Sequence, residues 1–120
     1  MENPRLNVID FGKLTRDDVV IVGGKNASLG EMIGALGKKG ILVPPGFATT
    51  ADAFRRYLSA NNLDTSIAAE LDKLAAGKTT LHKAGKAIRS LIVCGDWPED
   101  TAEAILAHYR DLGKTHGEEN

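Results

Sequence analysis

The residues with the clearest capacity for chemistry are Val22-Gly23-Gly24-Lys25-Asn26-Ala27-Ser28-Leu29-Gly30-Glu31-Met32. Two adjacent glycines, having no Cβ, let a backbone approach a bulky anion closely. Lys25 adds a flexible point charge that can reach phosphate oxygens. A helix beginning near Asn26 would aim its unpaired N–H groups and positive dipole end at the same place. Together these features make a phosphate cradle. They do not make a Walker A loop, which needs a glycine where this chain has Val19 and a Ser or Thr where it has Asn26. The same residues also admit a plainer account: a tight turn at Gly23-Gly24, a solvated Lys25, and a helix capped by Asn26 or by the Ser28–Glu31 capping box.

Other reactive side chains carry weaker patterns. His82, His108 and His116 have no second histidine or cysteine at ligand spacing, so each is assigned a surface or helix role. Cys94, the single cysteine, excludes an internal disulfide and reads as a small buried hydrophobe. Asp17-Asp18 lacks a third ligand nearby and reads as a solvated loop. Arg55-Arg56 reads as two exposed helix residues beside Phe54 and Tyr57, although they could reach a phosphate in a closed domain. Gly34, Gly37 and Gly40, three apart, do not fit a dinucleotide fingerprint and are expected to end a helix and let it pack closely.

The elements that position these residues follow from apolar spacing. Val8-Ile9-Asp10-Phe11 and Val19-Val20-Ile21-Val22 are short apolar runs compatible with strands. Leu29, Met32, Ile33 and Leu36 form a helical stripe at i, i+3, i+4, i+7. Thr50 can cap a helix bearing Phe54, Tyr57 and Leu58. Further on, Ile67, Leu71 and Leu74 predict a helix closed by Gly77. Leu81, Ala84, Ile88, Leu91 and Ile92 predict a second, capped by Thr79 or Thr80 and ended by Gly95. Glu99 and Asp100 suit the start of a third helix, which carries Ala102, Ile105, Leu106 and a core-facing Tyr109 before Gly113 ends it. Trp97 is expected to pack the preceding loop. The fold class is therefore α+β and helix-rich, with a motif-bearing α/β part over about 1–62 and a helical part over about 63–116.

Composition bounds the rest. The 120 residues make one domain or a piece of one. Fifteen basic against sixteen acidic side chains give a net charge of -1, which offers no nucleic-acid groove. Hydrophobic residues make up 42% and aromatic ones 5%, so the core must rest on Leu, Ile, Val and Ala. No apolar run approaches the roughly 18–20 residues of a membrane span, and Met1-Glu2-Asn3-Pro4-Arg5 lacks a signal pattern. The expectation is a cytoplasmic chain with no membrane partner. Helix stripes left without a partner could pair between copies, so a homo-oligomer is open.

The Val22–Met32 block, followed by Val43-Pro44-Pro45-Gly46-Phe47-Ala48-Thr49-Thr50-Ala51-Asp52-Ala53-Phe54, closely resembles the start of the phosphoenolpyruvate synthase (pyruvate, water dikinase) family. The resemblance continues more loosely through Lys83-Ala84-Gly85-Lys86-Ala87-Ile88-Arg89. It covers essentially the whole chain but only the first part of a much longer protein. It implies the N-terminal part of an ATP-grasp-like nucleotide-binding domain. In that family the domain passes the β-phosphoryl of ATP to a histidine on a swivelling domain, and a barrel domain then phosphorylates pyruvate. ATP, pyruvate and water become AMP, phosphoenolpyruvate and phosphate, with magnesium.

On this resemblance the family's ATP-contacting lysine falls on Lys25, and Gly24 and Gly23 become the flanking glycines. The family's Arg-Ser-Ser segment, its magnesium-binding carboxylates, its phospho-acceptor histidine and its pyruvate barrel have no counterpart in these 120 residues. The resemblance thus implies no catalytic residue and no metal ligand in this chain, magnesium arriving with ATP, pyruvate met only through the missing domains, and no activity alone. The alternatives are a non-catalytic module that binds a partner, or a piece of a pyruvate phosphate dikinase or a rifamycin phosphotransferase. Asn26-Ala27-Ser28 after the lysine is closer to the synthase pattern.

Overall fold

The computed structural model of the chain describes residues 7–116, with side chains through Lys114. The N-terminal segment Met1–Arg5 discussed above and the tail from Gly117 lie outside the described residues, as does the side chain of His116. The elements run β1 (Val8–Asp10), two 3-10 turns (Phe11–Lys13 and Arg16–Asp18), α1 (Val19–Val22), α2 (Gly24–Gly37), β2 (Phe47–Thr49), α3 (Ala51–Ala60), α4 (Leu63–Ala75), α5 (Leu81–Val93) and α6 (Glu99–His116). A helix-rich α+β chain is what the periodicities predict. Two compact units divide it: residues 1–54 with 99–120, and residues 55–98.

In the first unit the β-branched pair Val8-Ile9 sits in β1, which pairs antiparallel with β2 in the register Val8↔Thr49, Ile9↔Ala48, Asp10↔Phe47. The Phe11 amide donates to the Gly46 carbonyl at 2.9 Å, and the Thr50 amide donates to the Asn7 carbonyl at 2.9 Å, so both ends of the ribbon are closed. Beneath it lies a small core of Leu14, Val22, Ala27 and Ala48, with Ile9 and Phe11 packed against it.

Val19–Val22 is helical, not a strand. The cause lies just upstream. Thr15 accepts the Asp17 amide at 3.2 Å, and its own amide donates to the Asp18 carboxylate at 2.9 Å, a capping box that sets a helical course into Val19. A four-residue helical turn then buries Val22 alone of the four valines and isoleucines, where a strand would have needed an edge to pair with.

The helix α2 carries the predicted stripe, but its tightest packing uses smaller residues. Ala27 and Gly30 are the buried ones, while Met32 is exposed. A Cβ built on Gly30 would stand 2.5 Å from the Leu14 Cβ and 2.8 Å from the Leu14 carbonyl oxygen, so only glycine lets α2 close onto the Phe11–Leu14 segment. The expected close packing at Gly34 and Gly37 is not found, since a Cβ at either would meet nothing within 4 Å. Gly40, at φ 77°, turns the chain away after the helix.

The helix α6 departs from the sequence reading in three ways. It continues through Gly113 to His116, Tyr109 is 67% exposed, and Leu106 faces solvent. His108 takes the inward place. Its ring lies 5.6 Å from that of Phe47, its Nδ1 is 2.8 Å from the Ala104 carbonyl, and its Nε2 is 4.0 Å from the Asp10 carboxylate. The helix is thus seated on the Asp10↔Phe47 pair of the ribbon.

The second unit is held by packing of α4 against α5, with Leu63 and Ala84 buried and Ile67, Leu74, Ile88 and Leu91 half-buried. The Thr80 hydroxyl caps α5 by accepting the Lys83 amide at 3.2 Å, and Gly77, at φ 73°, closes α4 as its residue type predicts. Cys94 is exposed, not buried, because it caps the C-terminus of α5 on the way into a loop. That loop is clasped to the end of α3. The Tyr57 hydroxyl donates to the Ile92 carbonyl at 2.5 Å, and its ring meets Trp97 edge-on at 5.2 Å. The Asn61 amide donates to Tyr57 and Asp96 carbonyls, both at 2.9 Å, while its oxygen accepts the Asp96 amide at 2.8 Å.

Candidate functional site

The Gly23–Lys25 turn joins two helices that cannot run on as one. At Gly23 the backbone takes φ 87° and ψ 162°, a conformation essentially confined to glycine, and the helix α2 starts directly behind it. The Gly23 amide closes α1 by donating to the Val19 carbonyl at 2.7 Å, and its carbonyl accepts the first bond of α2 from the Ala27 amide at 3.1 Å. The amides of Gly24, Lys25 and Asn26 come before that first bond. They are the donors that a helix leaves without an intrahelical acceptor, and no side chain among the described residues caps them.

This geometry corrects the sequence reading of the helix start. The helix begins at Gly24, so Asn26 is not its cap; the Asn26 side-chain amide instead donates back to the Val22 carbonyl at 2.9 Å. Ser28 is likewise inside the helix. Its expected capping partner Glu31 accepts the Arg16 amide at 3.0 Å and so ties α2 to the 3-10 turn before α1. With neither side chain over the N-terminus, the end of α2 stays open.

Gly23, Gly24 and Lys25 are all exposed, and a Cβ placed on either glycine would meet nothing within 4 Å. The structure therefore brings together what the motif suggested: a positive helix end, uncapped amides, a backbone without side-chain cover, and a cation on the same turn. An anion the size of a phosphate fits such a site physically, because amides and dipole both favour negative charge. The two glycines have separate jobs. Gly23 supplies a backbone conformation, whereas Gly24 leaves space in front of the amides.

The remaining candidates fall elsewhere. Asp17 and Asp18 lie in the 3-10 turn, where Asp18 completes the Thr15 capping box. Among the described residues there is no group of three or more His, Cys, Asp or Glu able to hold a metal ion. Arg55 and Arg56 border an open cleft with Ser59, Ala60 and Pro98 in the second unit. His108 lines a cavity of about 300 Å³ with Asp10, Ile33, Pro45 and Asp111. Sequence reasoning missed this inward histidine, and its signal was available: 108 follows 101 and 105 at helical spacing, opposite the exposed Tyr109. No helix among the described residues is long and apolar enough to cross a membrane.

Comparison with known proteins bears on the same residues. Residues 19–120 match the family described as "Pyruvate phosphate dikinase, AMP/ATP-binding domain". The chain is 45% identical over 104 residues to a phosphoenolpyruvate synthase of Deinococcus radiodurans, a match covering 86% of the chain and 13% of that protein. It is 46% identical over 106 residues to that of Neisseria meningitidis serogroup B, covering 88% and 13%. For Escherichia coli K12 the figures are 43% over 106 residues, again 88% and 13%. The chain thus spans about 13% of the length of these curated relatives.

Proposed function

Because the chain belongs to the pyruvate phosphate dikinase AMP/ATP-binding family, we propose that its Gly23-Gly24-Lys25 turn binds the phosphates of ATP. The observation that carries this reading is the open N-terminus of α2, where amides without an intrahelical acceptor and the exposed Lys25 share one turn. The amides of Gly24, Lys25 and Asn26 orient phosphate oxygens, and the Lys25 ammonium neutralises charge that spreads over them during transfer. Gly23 holds the turn that presents those amides.

The wider reading is that of a phosphoenolpyruvate synthase: this segment forms the N-terminal part of an ATP-grasp-like domain that serves phosphoryl transfer from ATP to an enzyme histidine and on to pyruvate. Magnesium accompanies the nucleotide. On this reading its protein ligands belong to other parts of such an enzyme. The catalytic histidine and the pyruvate site belong there too, so the 120 residues do not complete the reaction alone. The reading places the protein in the cytoplasm.

A magnesium-ATP titration followed by amide NMR tests the site. Shifts concentrated at Gly23 to Ser28 are expected, with affinity reduced roughly tenfold in Lys25→Ala, as about 1.5 kcal/mol for one charge-assisted contact implies. A silent titration of the folded chain, or one equally strong in Lys25→Ala, would overturn the assignment for this chain. A silent result would favour a non-catalytic module.

A further inference from the structure

In an uninterrupted helix the Val22 carbonyl would accept the amide of the residue four positions on, which is Asn26. Gly23, at φ 87° and ψ 162°, interrupts that course, and the Asn26 amide comes before the first bond of α2. Val22 is nonetheless supplied with a donor, since the Asn26 side-chain nitrogen Nδ2 lies 2.9 Å from its oxygen. Only the nitrogen end of that side chain can face a carbonyl at such a distance, because the oxygen end has no proton to give. Asn26 therefore offers two donors, backbone and side chain, to a single acceptor, and the side chain has taken it. Asparagine competes with the backbone for hydrogen bonds in this way, which is also why it is a weak former of helix interiors.

We propose that Asn26 is the positioning residue of the phosphate turn, a role that rests on the reading of Gly23–Lys25 as a phosphate site. Its Nδ2 occupies the Val22 carbonyl and so keeps α1 and α2 from fusing into one helix from Val19 to Gly37. Fusion would give the Gly24, Lys25 and Asn26 amides the Val20, Ile21 and Val22 carbonyls as acceptors, and none of the three would be left for an anion. The rest of α2 is fixed independently: Gly30 closes on Leu14, and Glu31 accepts the Arg16 amide at 3.0 Å. The adjustable part is the turn itself, and Asn26 stands half-buried beside it. Gly23 permits the turn, but glycine permits the helix as well. The Asn26 side chain selects between them.

Amide hydrogen exchange followed by NMR, without nucleotide, reads this competition directly in the 120-residue chain and in Asn26→Ala. With the side-chain donor gone, the residue-26 amide is expected to take the Val22 carbonyl and to exchange at least about tenfold more slowly, relative to its intrinsic rate, than in the unmodified chain. Equal protection in the two chains would overturn the proposal. So would faster exchange in the variant, the mark of a side chain that merely braces the turn. Should Asn26→Ala fail to fold, the near-isosteric Asn26→Leu, a better helix former with no polar atoms, carries the same expectation. A magnesium-ATP titration then reads the consequence, with Asn26→Ala expected to bind about tenfold more weakly as amides are withdrawn from the phosphates. Equal affinity in the two chains would refute the positioning role. If the unmodified chain itself binds no ATP, the phosphate reading fails, and the exchange comparison alone decides whether Asn26 holds the turn open.

Discussion

The Gly23–Lys25 turn and the Tyr57–Asn61–Gly95 clasp both use glycine next to a helix end, and they treat polar groups in opposite ways. At the clasp, every polar atom of Asn61 that forms a bond is matched within its own unit, and the Tyr57 hydroxyl reaches a carbonyl that the end of α5 leaves free. Gly95 is needed there because a Cβ would stand 2.6 Å from the Tyr57 hydroxyl oxygen. At the turn, the amides are uncapped, the space around both glycines is empty, and the nearby apolar residues are in water. A region that satisfies itself is built for stability. A region that leaves donors and apolar surface unpaired gains little stability from them.

Substitutions can break this contrast or sharpen it. Tyr57→Ala should have the largest effect, destabilising the second unit by about 3 kcal/mol, since it removes a buried aromatic, its edge contact to Trp97 and a hydrogen bond. Thermal unfolding with hydrogen exchange across α4 and α5 would show it; unchanged protection there would mean the clasp does not hold the unit. Next comes Gly30→Ala, expected to cost about 2 kcal/mol because the new methyl meets backbone oxygens of Leu14 and Phe11 that cannot swing away. Urea unfolding measures that cost, and a neutral result would place α2 farther from Leu14 than the structure does.

The glycine pair itself separates the two regions more finely. Gly23→Ala should destabilise by about 1–2 kcal/mol through its positive φ, whereas Gly24→Ala should be neutral or slightly stabilising at a helix start. If ATP is bound as proposed, Gly24→Ala weakens binding without weakening the fold, and parallel melts and titrations would separate those effects. The smallest change in stability is expected for Lys25→Ala, within about 0.5 kcal/mol, because the side chain is exposed and has no packing role. A large loss of Tm in that variant would mean that Lys25 is structural.

Much of the architecture was legible in residue types. Thr50 and Thr80 act as helix caps, Gly77 closes α4, and the apolar stripes mark α2 through α6, because capping and periodicity are local properties of the chain. The Gly-Gly-Lys motif was legible for the same reason, and a helix does begin there. The misreadings share one cause. Val19–Val22 looks like a strand by composition, Tyr109 looks like core beside an inconspicuous His108, and Gly30 looks like any motif glycine. Each outcome depended on a neighbour distant in sequence or on a cap just upstream.

By itself the sequence determined that helices fill most of the chain, that Thr50 and Thr80 cap two of them and Gly77 closes another, and which family the motifs resemble. Those follow from dihedral preference, side-chain reach and local hydrogen bonding. Only the tertiary structure decided which face of each helix is buried, that α2 closes on Leu14 through Gly30, that His108 sits over the Asp10↔Phe47 pair, and that the N-terminus of α2 stays uncapped. Burial and steric fit are set by segments brought together from far along the chain, and no local pattern records them.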